Sequence, residues 1–170
     1  TLGGADAILV AQGVLTDETR ARTDVAYLEA TFRLNYLSCV HLAELATERF
    51  SARGSGVVAV ITSVAGDRGK SSNAAYCAAK AALSTHLSGI RQRISPGPVT
   101  ILDLRMGQAD TAMTAGMKKG ALFASAENVG RSSYAAMKAR KDVAYVPFFW
   151  RPLMRAVREV PEPLFKKLKM

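Results

Sequence analysis

Tyr76 and Lys80 stand four apart in an Ala-rich stretch of helical character, so both side chains lie on one face of a helix. An unperturbed phenol, with a pKa of about 10, is a poor base at neutral pH. A neighbouring ammonium favours the phenolate and lowers that pKa. The pair could then exchange a proton with a carbonyl or alcohol oxygen. Tyr-x-x-x-Lys alone is common on helix surfaces. Ser63, thirteen positions before Tyr76, sharpens it, because it follows an apolar, strand-like run at residues 57–61. A hydroxyl there can hold a substrate oxygen while the phenol protonates it, although a loop serine can equally make a turn. Asn35 lies in the middle of a long helical stretch, where its amide competes for backbone hydrogen bonds. It either faces solvent, or kinks the helix and holds a water.

The flanking segments predict what positions these groups. Residues 7–11 are continuously apolar and suit a strand buried on both faces. Residues 17–22 are polar and cap or open a helix. Residues 25–50 place Leu28, Phe32, Tyr36, Val40, Leu45 and Phe50 at helical spacing, and the pattern breaks at Ser51-Ala52-Arg53-Gly54-Ser55-Gly56. Residues 57–61 form a β-branched second strand, and 62–73 a polar loop. Residues 74–93 form a helix that stops at Ser95-Pro96-Gly97-Pro98. A strand at 99–104, a loop at 105–120, a helix at 125–139 and a short strand at 143–146 complete the alternation. It predicts an α/β domain with a parallel sheet, whose ligand site is built by the loops at the carboxyl ends of the strands. Those loops are Gln12 onward, 62–73 and 105–113. Residues 1–147 then form the catalytic part. Residues 148–170 form a basic, apolar helical tail of the same domain, broken by Pro152, Pro161 and Pro163.

At 170 residues and 49% hydrophobic content the chain can bury one real core. No apolar run reaches bilayer length, and no signal-like leader is present. Cys39 and Cys77 make neither a disulfide framework nor a metal-ligand spacing, so two reduced thiols in a cytoplasmic protein, and no metal, are expected. The net charge is +9, and residues 138–170 hold nine basic residues against three acidic ones. Bulky apolar residues interleave with those charges. That pattern suits either peripheral contact with a membrane surface or a helix packed on its own domain or a partner subunit. No nucleic-acid-binding motif accompanies the charge.

Taken together, Asn35, Ser63, Tyr76 and Lys80 resemble, in order and spacing, the Asn-Ser-Tyr-Lys tetrad of the short-chain dehydrogenase/reductase family. Ile61-Thr62-Ser63-Val64-Ala65-Gly66 and Ala75-Tyr76-Cys77-Ala78-Ala79-Lys80-Ala81-Ala82-Leu83 resemble its active-site signature, and the likeness runs to about Met113. The resemblance implies a Rossmann-like doubly wound sheet, NAD or NADP as hydride carrier, a small carbonyl or alcohol substrate and a homo-oligomer. It also implies roles. Tyr76 would be the general acid/base, and Lys80 would lower its pKa and bind the nicotinamide ribose. Ser63 would orient the carbonyl, and Asn35 would hold a water between Lys80 and solvent. Gly13 matches the last position of the family's Asn-Asn-Ala-Gly turn, with Val10-Ala11-Gln12 in place of the rest. Gly107, Gln108 and Thr111 fall in a segment similar to the Pro-Gly-x-x-x-Thr that meets the nicotinamide carboxamide, with Met106 for the Pro. The implied cofactor contacts are therefore Gly13, Asn35, Tyr76, Lys80, Gly107, Gln108 and Thr111.

The family's Gly-rich phosphate turn has no counterpart, since Gly3 and Gly4 precede a strand rather than follow one. The expectation is a longer enzyme with at least one further β-α unit ahead of Thr1. The alternative is a non-enzymatic remnant, unable to bind dinucleotide, that serves as a binding or assembly partner. Arg105-Met106-Gly107-Gln108 and the tail are similar to the branch containing the decaprenylphosphoryl 2-keto-pentose reductases, which implies a lipid-linked sugar substrate.

Overall fold

The computed structural model describes residues 4–168; Thr1, Leu2, Gly3, Lys169 and Met170 lie outside the described residues. In chain order the strands are β1 (Ala7–Val10), β2 (Gly56–Ser63), β3 (Val99–Met106), β4 (Ala109–Asp110), β5 (Ala124–Ser125) and β6 (Val143–Val146). The helices are α1 (Glu18–Ala21), α2 (Val25–Phe32), α3 (Ser38–Arg53), α4 (Ala74–Ile94), α5 (Ala126–Lys138), α6 (Trp150–Glu159) and α7 (Glu162–Phe165). Four strands form one fully parallel sheet in the order β1-β2-β3-β6, and β4 and β5 pair separately.

Strand alternation divides the core into two layers. Val58 and Val60 of β2, with Val99 and Ile101 of β3, pack on Leu83, Leu87 and Ile90 of α4 and on Cys39, Ala43 and Phe50 of α3. Ala59, Leu102 and Leu104 point the other way, toward Ala136 and Met137 of α5. Helices on both faces of a parallel sheet make this the expected doubly wound α/β architecture. Leu83 and Leu87 are fully buried, each worth about 1.5–3 kcal/mol of transfer free energy. β1 departs from the expectation of burial on both faces, because it has one neighbour in the sheet and Leu9 stays 44% exposed. It is an edge strand among the described residues.

The long helical stretch is not one regular helix. Asp24 caps α2, its carboxylate accepting from Tyr27 N–H at 2.9 Å. Residues 33–37 then form a π-helical turn before α3 resumes, and Gly54, at φ +78°, ends it in the left-handed conformation. β2 runs two residues past the predicted end, so Ser63 is its last residue rather than the second of the loop. The loop itself opens with a 3₁₀ turn at Val64–Asp67. Pro152 does not break the tail. It sits in the first turn of α6, where its missing N–H would have had no intrahelical acceptor. Trp150 and Met154 are buried against Val64, so the tail is packed on its own domain.

Candidate active site

Ser63, Tyr76 and Lys80 converge at the carboxyl end of β2. Ser63 is delivered by the strand itself, and its Oγ accepts from Ala65 N–H at 3.1 Å while donating to Met106 O at 3.4 Å. The second contact is at the limit of a hydrogen bond, so the hydroxyl is easily redirected. Tyr76 and Lys80 sit in the first two turns of α4, both buried. The N-terminus of that helix is held by a residue that sequence reading did not single out. Glu18 accepts from Ala75 N–H at 3.1 Å, and Arg22 donates to Ser71 O at 3.1 Å.

Lys80 Nζ donates to Ile61 O at 3.2 Å and lies 5.8 Å from the Tyr76 ring centroid. The expected lowering of the tyrosine pKa by this lysine is not what the geometry produces. Burial pushes the Tyr76 phenol above its ordinary value, and the Ser63 hydroxyl opposes that rise. Burial likewise pulls Lys80 below its ordinary value, opposed by Cys39 and by the Asp103 carboxylate. The correction has a simple cause. Desolvation penalises the charged form of each partner.

Asn35 is fully buried in the π-helical turn, which settles the solvent-facing alternative. Its amide clamps the backbone after β1, with Nδ2 donating to Val14 O at 3.0 Å and Oδ1 accepting from Val14 N–H at 2.9 Å. The side chain therefore ties the segment after β1 to the π-helical turn. Gly13 completes this corner. A Cβ there would fall 3.0 Å from Asn35 Oδ1 and 3.3 Å from Lys80 Nζ, so glycine lets the loop lie against both side chains without crowding them.

The segment after β3 divides. Gly107 follows Met106, which pairs with Ser63 in the sheet, and its N–H donates to Val146 O at 2.8 Å. A Cβ on Gly107 would fall 1.9 Å from Trp150 Nε1, so close packing against the indole also demands glycine. Gln108 and Thr111 flank the small second sheet. The Gln108 carbonyl accepts from Ala124 N–H at 3.0 Å, and Thr111 caps the turn at Ala112–Thr114. Among the described residues no hydrogen bond links Gln108 or Thr111 to Tyr76 or Lys80.

One polar cluster was not singled out in advance. Asp103 is fully buried, and its Oδ1 accepts from Thr62 Oγ1 at 2.5 Å while Oδ2 accepts from Arg105 Nε at 3.0 Å. Arg105 Nη1 reaches Asp67 Oδ1 at 2.5 Å and Tyr145 OH at 2.9 Å. Burial and then the Asp67 carboxylate raise the Tyr145 pKa, which keeps the phenol protonated and donating to Asp67 Oδ2 at 2.8 Å. The available signal was Asp103 itself, a charge inside an apolar strand that requires a partner.

A parallel doubly wound sheet carrying a hydroxyl, a phenol and an ammonium at the carboxyl end of one strand defines a Rossmann-type α/β domain. The chain belongs to the short chain dehydrogenase family, whose family model matches residues 1–121. It is 31% identical over 160 residues, 94% of its length, to an uncharacterized oxidoreductase of Mycobacterium tuberculosis, of which it covers 64%. It is 29% identical over 116 residues, 68% of its length, to an acetoacetyl-CoA reductase of Allochromatium vinosum, of which it covers 47%. Its fold is similar to a short chain dehydrogenase from Burkholderia cenocepacia in complex with NADP, with a TM-score of 0.80 at 17% identity. That likeness covers 95% of this chain and 68% of the other. The chain thus spans just under two thirds of the M. tuberculosis relative.

Proposed function

We propose that the natural protein is an NAD(P)-dependent oxidoreductase that interconverts a carbonyl and a secondary alcohol, with Tyr76 as general acid/base. The observation that carries this reading is the meeting of Ser63, Tyr76 and Lys80 at one strand end, inside a chain of this family. Ser63 holds the substrate oxygen by giving up its long contact to Met106. Tyr76, kept protonated by burial, donates a proton to that oxygen on reduction and takes it back on oxidation. The nicotinamide supplies or accepts the hydride when bound. The residues fit its ribose end. Lys80 spends one N–H on Ile61 O and has two more to offer, and Gly13 leaves the space beside it clear of a side chain. The open edge of β1 is where a further strand and the phosphate-binding turn would join the sheet.

A fluorescence titration of the natural full-length protein with NADH and NADPH tests this. Saturable binding of one or both is expected, and it also settles the choice of cofactor. Absence of binding would leave the non-enzymatic remnant as the better reading. A homo-oligomer is part of the proposal, supported by the exposure of Val25, Leu37 and Leu45 along one helical course, and sedimentation velocity reads it directly.

A narrower form adds a lipid-linked or sugar substrate and peripheral membrane contact by an otherwise cytoplasmic protein. It rests on the likeness of Arg105–Gln108 and the tail noted above, and on one structural observation. Phe148 is 81% exposed, and Leu164 and Leu168 are exposed too, among the basic residues Arg151, Arg155, Lys166 and Lys167. Among the described residues no helix is long and apolar enough to cross a membrane. Because the tail packs on the core, deleting it would confuse docking with unfolding, so point changes are the better probe. The double variant Phe148→Ser, Leu164→Ser is expected to lose co-sedimentation with phosphatidylglycerol vesicles. Equal sedimentation of variant and natural protein would reject the membrane contact.

A further inference from the structure

Between Ser63 and Tyr76 the chain passes through residues 64–73, and two consecutive charged residues there reach away from the site in different directions. Asp67, its side chain only 4% exposed, takes Arg105 and Tyr145 through its two carboxylate oxygens. In the sheet, Arg105 stands directly between Thr62 and Tyr145. These three and Asp103 share the face on which α4 packs, as strand alternation from Val60 and Ile101 requires. A chain of polar contacts therefore crosses β2, β3 and β6 one residue short of Ser63.

Arg68 points to the C-terminal helices. Its Nη1 donates to Val157 O at 2.8 Å, Arg158 O at 3.3 Å and Val160 O at 2.5 Å. These carbonyls close the end of α6, where the last acceptors of a helix have no N–H donor of their own to pair with. Its Nη2 pairs with Glu162 Oε2 at 2.9 Å, and the guanidinium lies 3.6 Å from the Phe165 ring centroid. Gly66, just before the pair, presses on α4. A Cβ there would fall 2.9 Å from the backbone of Lys80 and Ala81. The segment is thus held from three sides.

A buried ion network of this kind is no better a stabiliser than well-packed apolar side chains, but it fixes geometry that apolar contacts leave adjustable. We propose that Asp67 and Arg68 are positioning residues of the reaction centre. One ties the Ser63–Tyr76 segment to the sheet, and the other ties it to α6 and α7. The inference rests on the reading of Ser63 and Tyr76 as the reacting groups, and it makes the C-terminal helices a working part of the site.

Amide hydrogen exchange on the natural full-length protein tests it, comparing Asp67→Asn and Arg68→Ala with the exposed control Lys138→Ala. Exchange in residues 64–75 is expected to rise about tenfold or more in the first two variants, while residues 85–94 of α4 keep their protection. Unchanged exchange in 64–75, or a rise of equal size throughout the chain, overturns the proposal. If Arg68→Ala does not fold, Arg68→Lys and Glu162→Gln must show the same localised rise, and its absence from both overturns it equally. In turnover, kcat is expected to fall at least about fivefold with the cofactor KM within about twofold; a kcat that does not fall in either variant also overturns it. A natural protein without turnover would count against the proposed reaction, whereas loop exchange is read separately and counts for or against the latch.

Discussion

Tyr76→Phe is expected to lower kcat by about 10³-fold, with cofactor binding within about threefold of the natural protein and a melting temperature within about 2 °C. General acid–base catalysis contributes about 10²–10⁴ in rate, and a factor of 10³ is about 4 kcal/mol of barrier. The phenol is the group proposed to give its proton to the substrate oxygen, with Ser63 holding that oxygen and Lys80 anchored to Ile61 O beside it. The ring, buried among Ala65, Cys77 and Leu15, is retained in the variant, so packing is preserved. Steady-state kinetics with NAD(P)H and a ketone panel, together with thermal melting, check both halves. A variant that keeps more than about a tenth of the natural kcat would remove Tyr76 from the proton transfer.

Lys80→Met is expected to trade activity for stability. Activity should fall about 10²-fold or more, because the residue proposed to hold the ribose end of the cofactor beside Tyr76 loses its donor. Stability should rise at pH 7, because an ammonium buried beneath α4 is replaced by an apolar chain of similar shape. Burial pulls the Lys80 pKa in the folded state below its ordinary value. Between that folded value and the unfolded value of about 10.4, the unfolded chain binds more protons, so the stability of the natural protein climbs with pH. Below that window the burial penalty is fully present; above it, the penalty is gone. The Met variant should therefore melt about 2–4 °C higher at pH 7, equivalent to about 1 kcal/mol in a domain of this size, with the gain shrinking toward pH 10. Melting curves at pH 7, 8.5 and 10 read the effect. A variant that melts lower at pH 7, or a gain constant with pH, would show that the lysine is not destabilising where it lies.

Much of this was legible in the sequence because local rules agreed with the global fold. The apolar runs at 57–61 and 99–104 fall inside β2 and β3, and the resemblance carried by Ser63, Tyr76 and Lys80 implied that they meet at one site. The π-helical turn was half legible. An asparagine in mid-helix signalled an irregularity, but its partner, the Val14 backbone, is 21 residues away and is set by tertiary packing. The direction of the Tyr76 shift was misread because spacing shows that a tyrosine and a lysine are near, while burial, which dominates the shift, depends on how α4 packs on the sheet. Asp103 was readable as a charge lacking a partner, yet the identity of that partner, Arg105 two residues on, needed the strand face to be known. Arg68 offered no local signal, since the helix end it satisfies lies some 90 positions further along the chain.

As proposed, this centre moves a proton to an oxygen whose carbon receives a hydride. The most direct measurement gives the natural full-length protein NADH or NADPH deuterated at the transferable nicotinamide position, with a panel of ketones, and follows the label by mass spectrometry. One deuterium is expected on the carbinol carbon of a product alcohol with the natural protein, and not with Tyr76→Phe. Cofactor binding with no label transferred to any carbonyl, or equal transfer by natural protein and variant, would contradict it.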